Sequence, residues 1–137
     1  MGRPRKRGHN KLKRIPWKII RKHNRNRKPS SLEKKVYDWL DEDGILYKKE
    51  KAVGRHMHVD IFLAPKTCIE LNGCFWHGCL ICNKELSKDQ KAAQVKDAKR
   101  YYSIRRCGLD IVIFWECEIN GFPERVRQTL RALAKGK

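Results

Sequence analysis

The sequence predicts an α/β domain with the element order αβββαβα, built on a mixed sheet and preceded by a basic arm. Three observations predict this. Segments with the apolar period of strands alternate with segments that have the period of helices, cap and turn residues separate them, and the composition changes at Ser30. Because 137 residues suffice for one compact core, we divide the chain into an arm, residues 1–29, and a domain, residues 30–137.

The arm is a polycation. Residues 1–29 contain 13 Lys or Arg and no acidic residue, and the whole chain has a net charge of +18. That charge exceeds what solubility requires and predicts a polyanionic partner, namely nucleic acid. We take this partner to be double-stranded DNA. The opening GRPRKRG resembles an AT-hook for the minor groove, and a phosphate-binding tail is the alternative. The residues expected to contact DNA are Arg3, Arg5, Lys6, Arg7, Lys11, Lys13 and Arg14.

The compartment follows from what the sequence lacks. No run approaches the roughly 20 apolar residues of a membrane span, and the N-terminal residues lack the apolar run of a signal peptide. We therefore expect a cytoplasmic, nucleoid-associated protein of a bacterial, archaeal or phage-infected cell. In a reducing compartment, the six cysteines favour metal binding over a disulfide framework.

The first half of the domain predicts a helix and three strands. Ser30 is the expected N-cap of the helix, Glu33 stands where it completes a capping box, and Gly44 ends the helix. Strand patterns follow in ILYKKEKAV, HMHVDIFLA and KTCIELN, the third coming after Pro65. These strands predict a short meander.

The second half predicts two helices around one strand. SKDQKAAQVKDAKRYYSIRRCG indicates a long helix between Ser87 and Gly108, and PERVRQTLRALAKGK indicates a last helix with Pro123 near its first turn. Between them, LDIVIFWEC is so continuously apolar that it predicts a central strand buried on both faces.

A cysteine-rich loop, NGCFWHGCLIC, separates the third strand from the long helix. Cys74, Cys79 and Cys82 have a spacing suited to zinc, and Cys117, at the end of the apolar strand, is the strongest candidate for the fourth ligand. Four thiolates leave no coordination position open. The sequence therefore predicts a structural Zn²⁺ site rather than a catalytic one.

Two alternatives to this zinc site stay open at the level of sequence. His77 could replace Cys117 as the fourth ligand, and it then could not easily act as a catalyst as well. The cysteines could also be ordinary buried thiols, which is our interpretation of Cys68 and Cys107. His56 and His58 are interpreted as surface or hydrogen-bonded residues.

Two carboxylates on consecutive predicted strands indicate a second metal site. Asp60 and Glu70 lie on strands joined by a turn, and paired carboxylates suit a hard cation such as Mg²⁺. Their spacing resembles the metal-binding motif of the PD-(D/E)xK nuclease superfamily. Asn72 stands where that superfamily commonly has a lysine, and His77, a few residues on, is the expected substitute because an imidazole is suited to proton transfer near neutral pH.

NGCFWHGCLIC followed by LDIVIFWEC resembles the very short patch repair (Vsr) endonucleases, bacterial enzymes that nick DNA at T·G mismatches. The resemblance covers roughly residues 30–121. Related catalytic domains occur in phage and intron homing endonucleases. The resemblance implies a restriction-endonuclease-like fold, a catalytic Mg²⁺, a structural Zn²⁺ and a DNA substrate.

The same resemblance implies site residues. Asp60 is implied as the principal Mg²⁺ ligand, the backbone carbonyl of Leu71 as another, and His77 as the general acid or base. Glu33 and Asp97 complete the implied catalytic set. Their alternatives are a helix-capping role for Glu33 and a solvated surface position for Asp97.

The sequence departs from the repair enzymes at two positions. Cys79 stands where they have a histidine zinc ligand, which makes the predicted site all-cysteine. Glu70 stands where they have an apolar residue, so that we expect Asp60 and Glu70 to hold metal while His77 moves a proton.

The resulting hypothesis is a Mg²⁺-dependent DNA endonuclease that nicks or cleaves both strands. A non-catalytic, zinc-stabilised DNA-binding protein is the main alternative, and a nucleoid or ribosome-associated protein that prefers RNA is a third. Because the chain has little room for a long recognition domain, a homodimer or a partner protein would extend its contacts with DNA.

Overall fold

A four-stranded mixed sheet with helices against both faces forms the domain in a computed structural model, which describes residues 28–136. The arm residues expected to contact DNA lie outside that range. The elements are α1 Ser31–Glu42, β1 Lys48–Val53, β2 Met57–Leu63, β3 Thr67–Asn72, α2 Cys74–His77, α3 Lys88–Arg106, β4 Asp110–Trp115, α4 Glu116–Gly121 and α5 Pro123–Lys135.

The predicted helix starts are confirmed at both serine caps. Ser30 Oγ accepts a hydrogen bond of 3.2 Å from the backbone N–H of Glu33, which is the serine half of the predicted capping box. At the start of α3, Ser87 and Gln90 form the complete reciprocal box. Gly44 follows α1 with φ +65°, a left-handed conformation that glycine adopts at little cost.

The sheet has the order β1-β2-β3-β4. β1, β2 and β3 form the predicted meander with antiparallel pairing, and β4 pairs parallel to β3 after the crossover through α2 and α3. The β2–β3 register pairs Ile61 with Ile69 and Phe62 with Cys68. The pairing ends at Ile61 and Ile69, so that Asp60 and Glu70 each lie one residue beyond the last pair.

β4 corrects the prediction of a central strand. Among the described residues it pairs with β3 alone, at the edge of the sheet, and most of its side chains are half-buried. Its alternate residues pack into two different cores, Val112 and Phe114 on one face and Ile111 on the other. A continuous apolar run therefore indicates that both faces of a strand are covered. It does not indicate that the strand has a hydrogen-bonded neighbouring strand along each edge.

Two hydrophobic cores lie on opposite faces of the sheet. The larger core packs the sheet against α1, α4 and α5, and its buried residues are Val36, Tyr37, Leu40, Ile61, Leu63, Ile69, Leu71, Phe114, Ile119, Val126 and Leu130. The smaller core packs it against α3, with Val53, Val59, Phe62, Cys68 and Ile104. α3 thus approaches the face of the sheet on which Glu70 lies, and Arg100 of α3 contacts the Glu70 carboxylate.

Two short helices, α2 and α4, were not predicted. α2 is a single turn within the cysteine-rich loop, and α4 starts directly at the end of β4. They bring Cys74 and Cys117 to the same end of the sheet, because Asn72 and Trp115, the last residues of β3 and β4, are partners in the parallel ladder. None of the helices between residues 28 and 136 is both long and apolar enough to cross a bilayer.

Candidate active site and thiol cluster

The four cysteines predicted as zinc ligands converge where β3 and β4 end. One sulfur atom from each of Cys74, Cys79, Cys82 and Cys117 lies within 4.8 Å of the others. Cys79 Sγ and Cys117 Sγ are 3.9 Å apart, and Cys74 Sγ accepts the backbone N–H of Cys117 at 3.3 Å. Cys117, and not His77, therefore meets the three loop cysteines. This set is called the thiol cluster below.

Side-chain amides fix the loop that presents three of these thiols. Gln90 and Gln94 of α3 donate hydrogen bonds of 2.8 Å to the carbonyls of Phe75 and Gly78. Asn83 donates to two further carbonyls of the loop. Gly78 ends α2 with φ +72°, and a Cβ at that position would lie 3.2 Å from the Cβ of Gln90. The loop is thus held tightly against α3.

The thiol cluster has the donor set of a soft metal. Burial raises the pKa of the Cys74 thiol, so a thiolate there needs a compensating positive charge. Burial also opposes ionisation of Cys79, yet the backbone N–H groups of Cys82 and Ile81 outweigh it and lower the pKa of the Cys79 thiol. Four converging sulfur atoms fit tetrahedral Zn²⁺, and a metal cation would offset the cost of ionising the remaining thiols.

His77 and Asp97 form a hydrogen-bonded pair beside the thiol cluster. His77 Nδ1 and Asp97 Oδ2 are 2.7 Å apart, with side chains 33% and 17% exposed. α2 supplies the histidine and α3 supplies the carboxylate. A half-exposed imidazole held on one nitrogen by a carboxylate is oriented for proton transfer at its other nitrogen.

Asp60 lies where the β2–β3 ladder ends. Its Oδ2 accepts a hydrogen bond of 2.8 Å from the backbone N–H of Leu71, so the carboxylate faces the backbone that the resemblance implies as a metal ligand. Burial, and then the negative charge of Glu70, raise the pKa of Asp60 to about 7. Ionisation of this buried carboxyl group is therefore more favourable when a bound cation supplies a compensating positive charge.

Glu70 is buried but not free, because Arg100 holds it. Arg100 Nη2 lies 2.7 Å from Glu70 Oε1, and the same nitrogen also donates to the backbone carbonyl of His58. The Glu70 side chain is only 8% exposed. The two carboxylates expected to bind metal therefore differ. Asp60 faces the Leu71 backbone, whereas one oxygen of Glu70 is already bonded to the Arg100 guanidinium.

Glu33 is more than a capping residue. It is buried, accepts a hydrogen bond of 3.4 Å from the hydroxyl of Tyr37, and contributes to the raised pKa of Asp60. Within residues 28–136, however, no three carboxylate or histidine ligand atoms converge as closely as the thiol cluster does.

Sequence reasoning missed Arg100, Tyr101 and Glu50 near this site. Arg100 and Tyr101 follow Asp97 at helical spacings of three and four, so the period of α3 could have found them. Asn72 donates a hydrogen bond of 2.8 Å to the Tyr101 hydroxyl. Glu50 has φ +47° within β1, which is unusual for a residue other than glycine. The β1–β2 register, continued across it, sets Glu50 opposite Asp60.

No family model matches the chain. The chain is 30% identical over 131 residues to the type II nicking enzyme V.NmeAIP of Neisseria meningitidis serogroup A, an alignment that covers 84% of this chain and 88% of the relative. The catalytic domain of the homing endonuclease I-Bth0305I has a TM-score of 0.56, is 22% identical, and is matched over 92% of its length by 75% of this chain. The second likeness concerns the fold alone.

Proposed function

The chain belongs to the Vsr-like and homing endonuclease group of the PD-(D/E)xK nucleases, and we propose that it is a Mg²⁺-dependent DNA endonuclease. The observation that supports this most strongly is the His77–Asp97 pair, which stands at the sheet end where the Asp60 carboxylate faces the Leu71 backbone. The relative from Neisseria is a nicking enzyme, and this favours a single-strand cut.

Asp60 is the proposed principal ligand for Mg²⁺. Because the N–H and C=O of one residue point to the same side of a strand, the Leu71 carbonyl faces the side from which Asp60 approaches. The Glu70 oxygen that is not bonded to Arg100 would complete the protein ligands. The bound cation would neutralise charge on the scissile phosphate and favour ionisation of water.

His77 is the proposed proton-transfer group. If Asp97 accepts the Nδ1 proton, Nε2 is left as the nitrogen that takes a proton from water or, once charged, gives one to the leaving 3′ oxygen. Glu33 would support the charge balance around Asp60, since it lies buried beside Tyr37.

The thiol cluster has a structural part in this proposal. With Zn²⁺ bound, it would tie the start of α4 to the loop that presents His77, and it would leave His77 free for chemistry. Phe75 and Trp76, on the same short helix, are 65% and 76% exposed. Large exposed aromatic side chains so close to the reacting group are suited to packing against unstacked bases.

A non-catalytic DNA-binding protein is the second candidate function. The observation in its favour is the ion pair between Arg100 and Glu70, which occupies one of the two expected metal-binding carboxylates. The basic arm would then supply most of the affinity for DNA.

Cleavage of supercoiled plasmid separates the two candidates. We expect the zinc-loaded chain to nick plasmid with Mg²⁺ and not with EDTA. Asp60→Asn should lower the rate by about 1,000-fold, the effect of losing several kcal/mol of charge stabilisation. Asp38→Asn removes an exposed carboxylate of α1 and is the matched control.

Two results would count against the endonuclease. One is a parent chain that binds plasmid and cuts neither plasmid nor mismatched duplex with Mg²⁺ or Mn²⁺. The other is an Asp60→Asn variant that cuts as fast as Asp38→Asn.

A further inference from the structure

Arg100 lies among acidic groups at the candidate site. Its side chain is 26% exposed, and Nη2 donates both to Glu70 and to the His58 carbonyl. Asp60 is close enough for the Arg100 charge to act on its ionisation. The guanidinium therefore lies at the strand ends where, under the proposed function, the phosphate of a DNA substrate would be bound.

The contacts of Arg100 use only part of its hydrogen-bonding capacity. A guanidinium has five N–H donors in a planar fork. Among the described residues, both of its hydrogen bonds come from Nη2, and neither Nε nor Nη1 donates one. An anchored guanidinium with an unused edge that is partly open to solvent is preorganised for an anion.

The candidate site also lacks the basic side chain that its sequence motif commonly contains. Asn72 occupies the position where the sequence motif leads us to expect a lysine, and its amide is turned to Tyr101. Among the groups described at this end of the sheet, Arg100 is the basic side chain in contact with Glu70, whereas His77 contacts Asp97. Hydrolysis of a phosphodiester develops negative charge on the non-bridging oxygens, which a neutral asparagine does not balance.

We infer that Arg100 is a catalytic residue that donates from Nη1 or Nε to a non-bridging oxygen of the scissile phosphate. This inference rests on the proposed endonuclease function. Glu70 then has a second task, because its carboxylate fixes the direction of the guanidinium. The competing explanation is purely structural: Arg100 would only neutralise the buried Glu70.

Single substitutions first measure how much Arg100 contributes to the cleavage rate. In single-turnover cleavage by preformed complexes, Arg100→Gln should lower the rate about 100- to 1,000-fold, as for loss of one donor to a developing oxyanion. Arg106→Gln, an exposed arginine of the same helix whose described contacts are with Tyr102, should stay within about twofold of the parent, as surface changes do.

The decisive variant combines Glu70→Gln with Arg100→Gln. If Arg100 only compensates Glu70, removing both charges restores the rate of Glu70→Gln alone, and the inference is overturned. If Arg100 touches the phosphate, the double variant stays at least tenfold slower than Glu70→Gln. Zinc content and circular dichroism of each variant establish that the fold is kept, and the double variant removes both members of the Arg100–Glu70 ion pair together.

Binding of a modified substrate gives a second readout, which does not depend on turnover. With Ca²⁺ in place of Mg²⁺, a neutral methylphosphonate at the mapped scissile position should weaken binding by the parent at least tenfold more than binding by Arg100→Gln, in which only the cation would still contact the phosphate. Equal weakening in both proteins would overturn the inference. A parent chain that never cleaves DNA would instead reject the proposed function itself.

Discussion

The thiol cluster and the carboxylate site, which consists of Glu33, Asp60 and Glu70, lie at the same end of one sheet, yet they differ in completeness. Four sulfur atoms already lie within 4.8 Å of one another. The carboxylates are spread over α1, β2 and β3, and one of them is bonded to Arg100. Three of the four thiols come from a single nine-residue stretch of chain, whereas each carboxylate comes from a different element.

This difference indicates two kinds of metal site. A closed set of four soft ligands suits a resident zinc ion with a structural purpose. An incomplete set of oxygen ligands suits Mg²⁺, which keeps several waters and is also bound by substrate phosphates. Under the proposed function, the first site would stabilise the loop, and the second would be completed by the phosphates of bound DNA.

The largest expected effect tests whether His77 belongs to the carboxylate site rather than to the thiol cluster. His77→Ala should lower the single-turnover rate about 100- to 10,000-fold, the usual range for a general acid or base. It should leave the zinc content unchanged, since Cys117 completes the cluster. His56→Ala, on the exposed turn between β1 and β2, is the control. A His77→Ala protein that loses zinc would reverse the assignment.

The second-largest expected effect concerns the thiol cluster, and substitutions of two exposed cysteines test it. Cys82→Ser should release zinc to a chelator, whereas Cys107→Ser, equally free and exposed but outside the cluster, should retain one equivalent. Zinc at 1,000 times its dissociation constant stabilises a fold by about 4 kcal/mol. A loss of that size would lower the Tm of this domain by roughly 10–20 °C.

Calorimetry and metal analysis of both cysteine variants provide the measurement. If Cys82→Ser and Cys107→Ser have the same Tm and the same metal content, the cluster consists of ordinary buried thiols.

A smaller effect tests the charge balance at Asp60. Its folded-state pKa of about 7 lies above the ordinary carboxyl value of 3.8, so the folded state binds the proton more tightly. Without Mg²⁺, this group therefore stabilises the fold fully below about pH 4, and the contribution is lost as pH rises towards 7. The change is up to about 4 kcal/mol before solvent screening reduces it.

Denaturant titrations of the parent and of Asp60→Asn, from pH 4 to pH 8, isolate that contribution. The difference in unfolding free energy between the two proteins should change with pH, and Mg²⁺ should flatten it by favouring the ionised carboxylate. A difference that is independent of pH would show that Asp60 ionises normally.

The smallest effect on chemistry concerns the arm, outside both sites. Replacing Arg3, Arg5, Lys6 and Arg7 with glutamine should reduce the salt dependence of DNA binding, the slope of log K against log salt, by up to about 3 to 4. The cleavage rate of saturated complexes should not change. A fall in that rate would indicate that the arm also takes part in the cleavage step.

Local signals predicted much of the molecule well. Serine caps, glycine stops and strand alternation act over a few residues, and they located α1, α3, α5 and the meander. The spacing of the cysteines within one loop likewise indicated three of the four residues of the thiol cluster, and the apolar strand end indicated the fourth.

The sequence by itself determined the four strands, the three longer helices, the charge of the arm and the types of ligand atom available, because residue spacing and composition encode them directly. Only the tertiary structure decided that β4 lies at the edge of the sheet, since an apolar strand covered on both faces looks the same in any position. It also decided that Arg100, thirty positions away along the chain, bonds Glu70, because that contact depends on how α3 packs across the sheet.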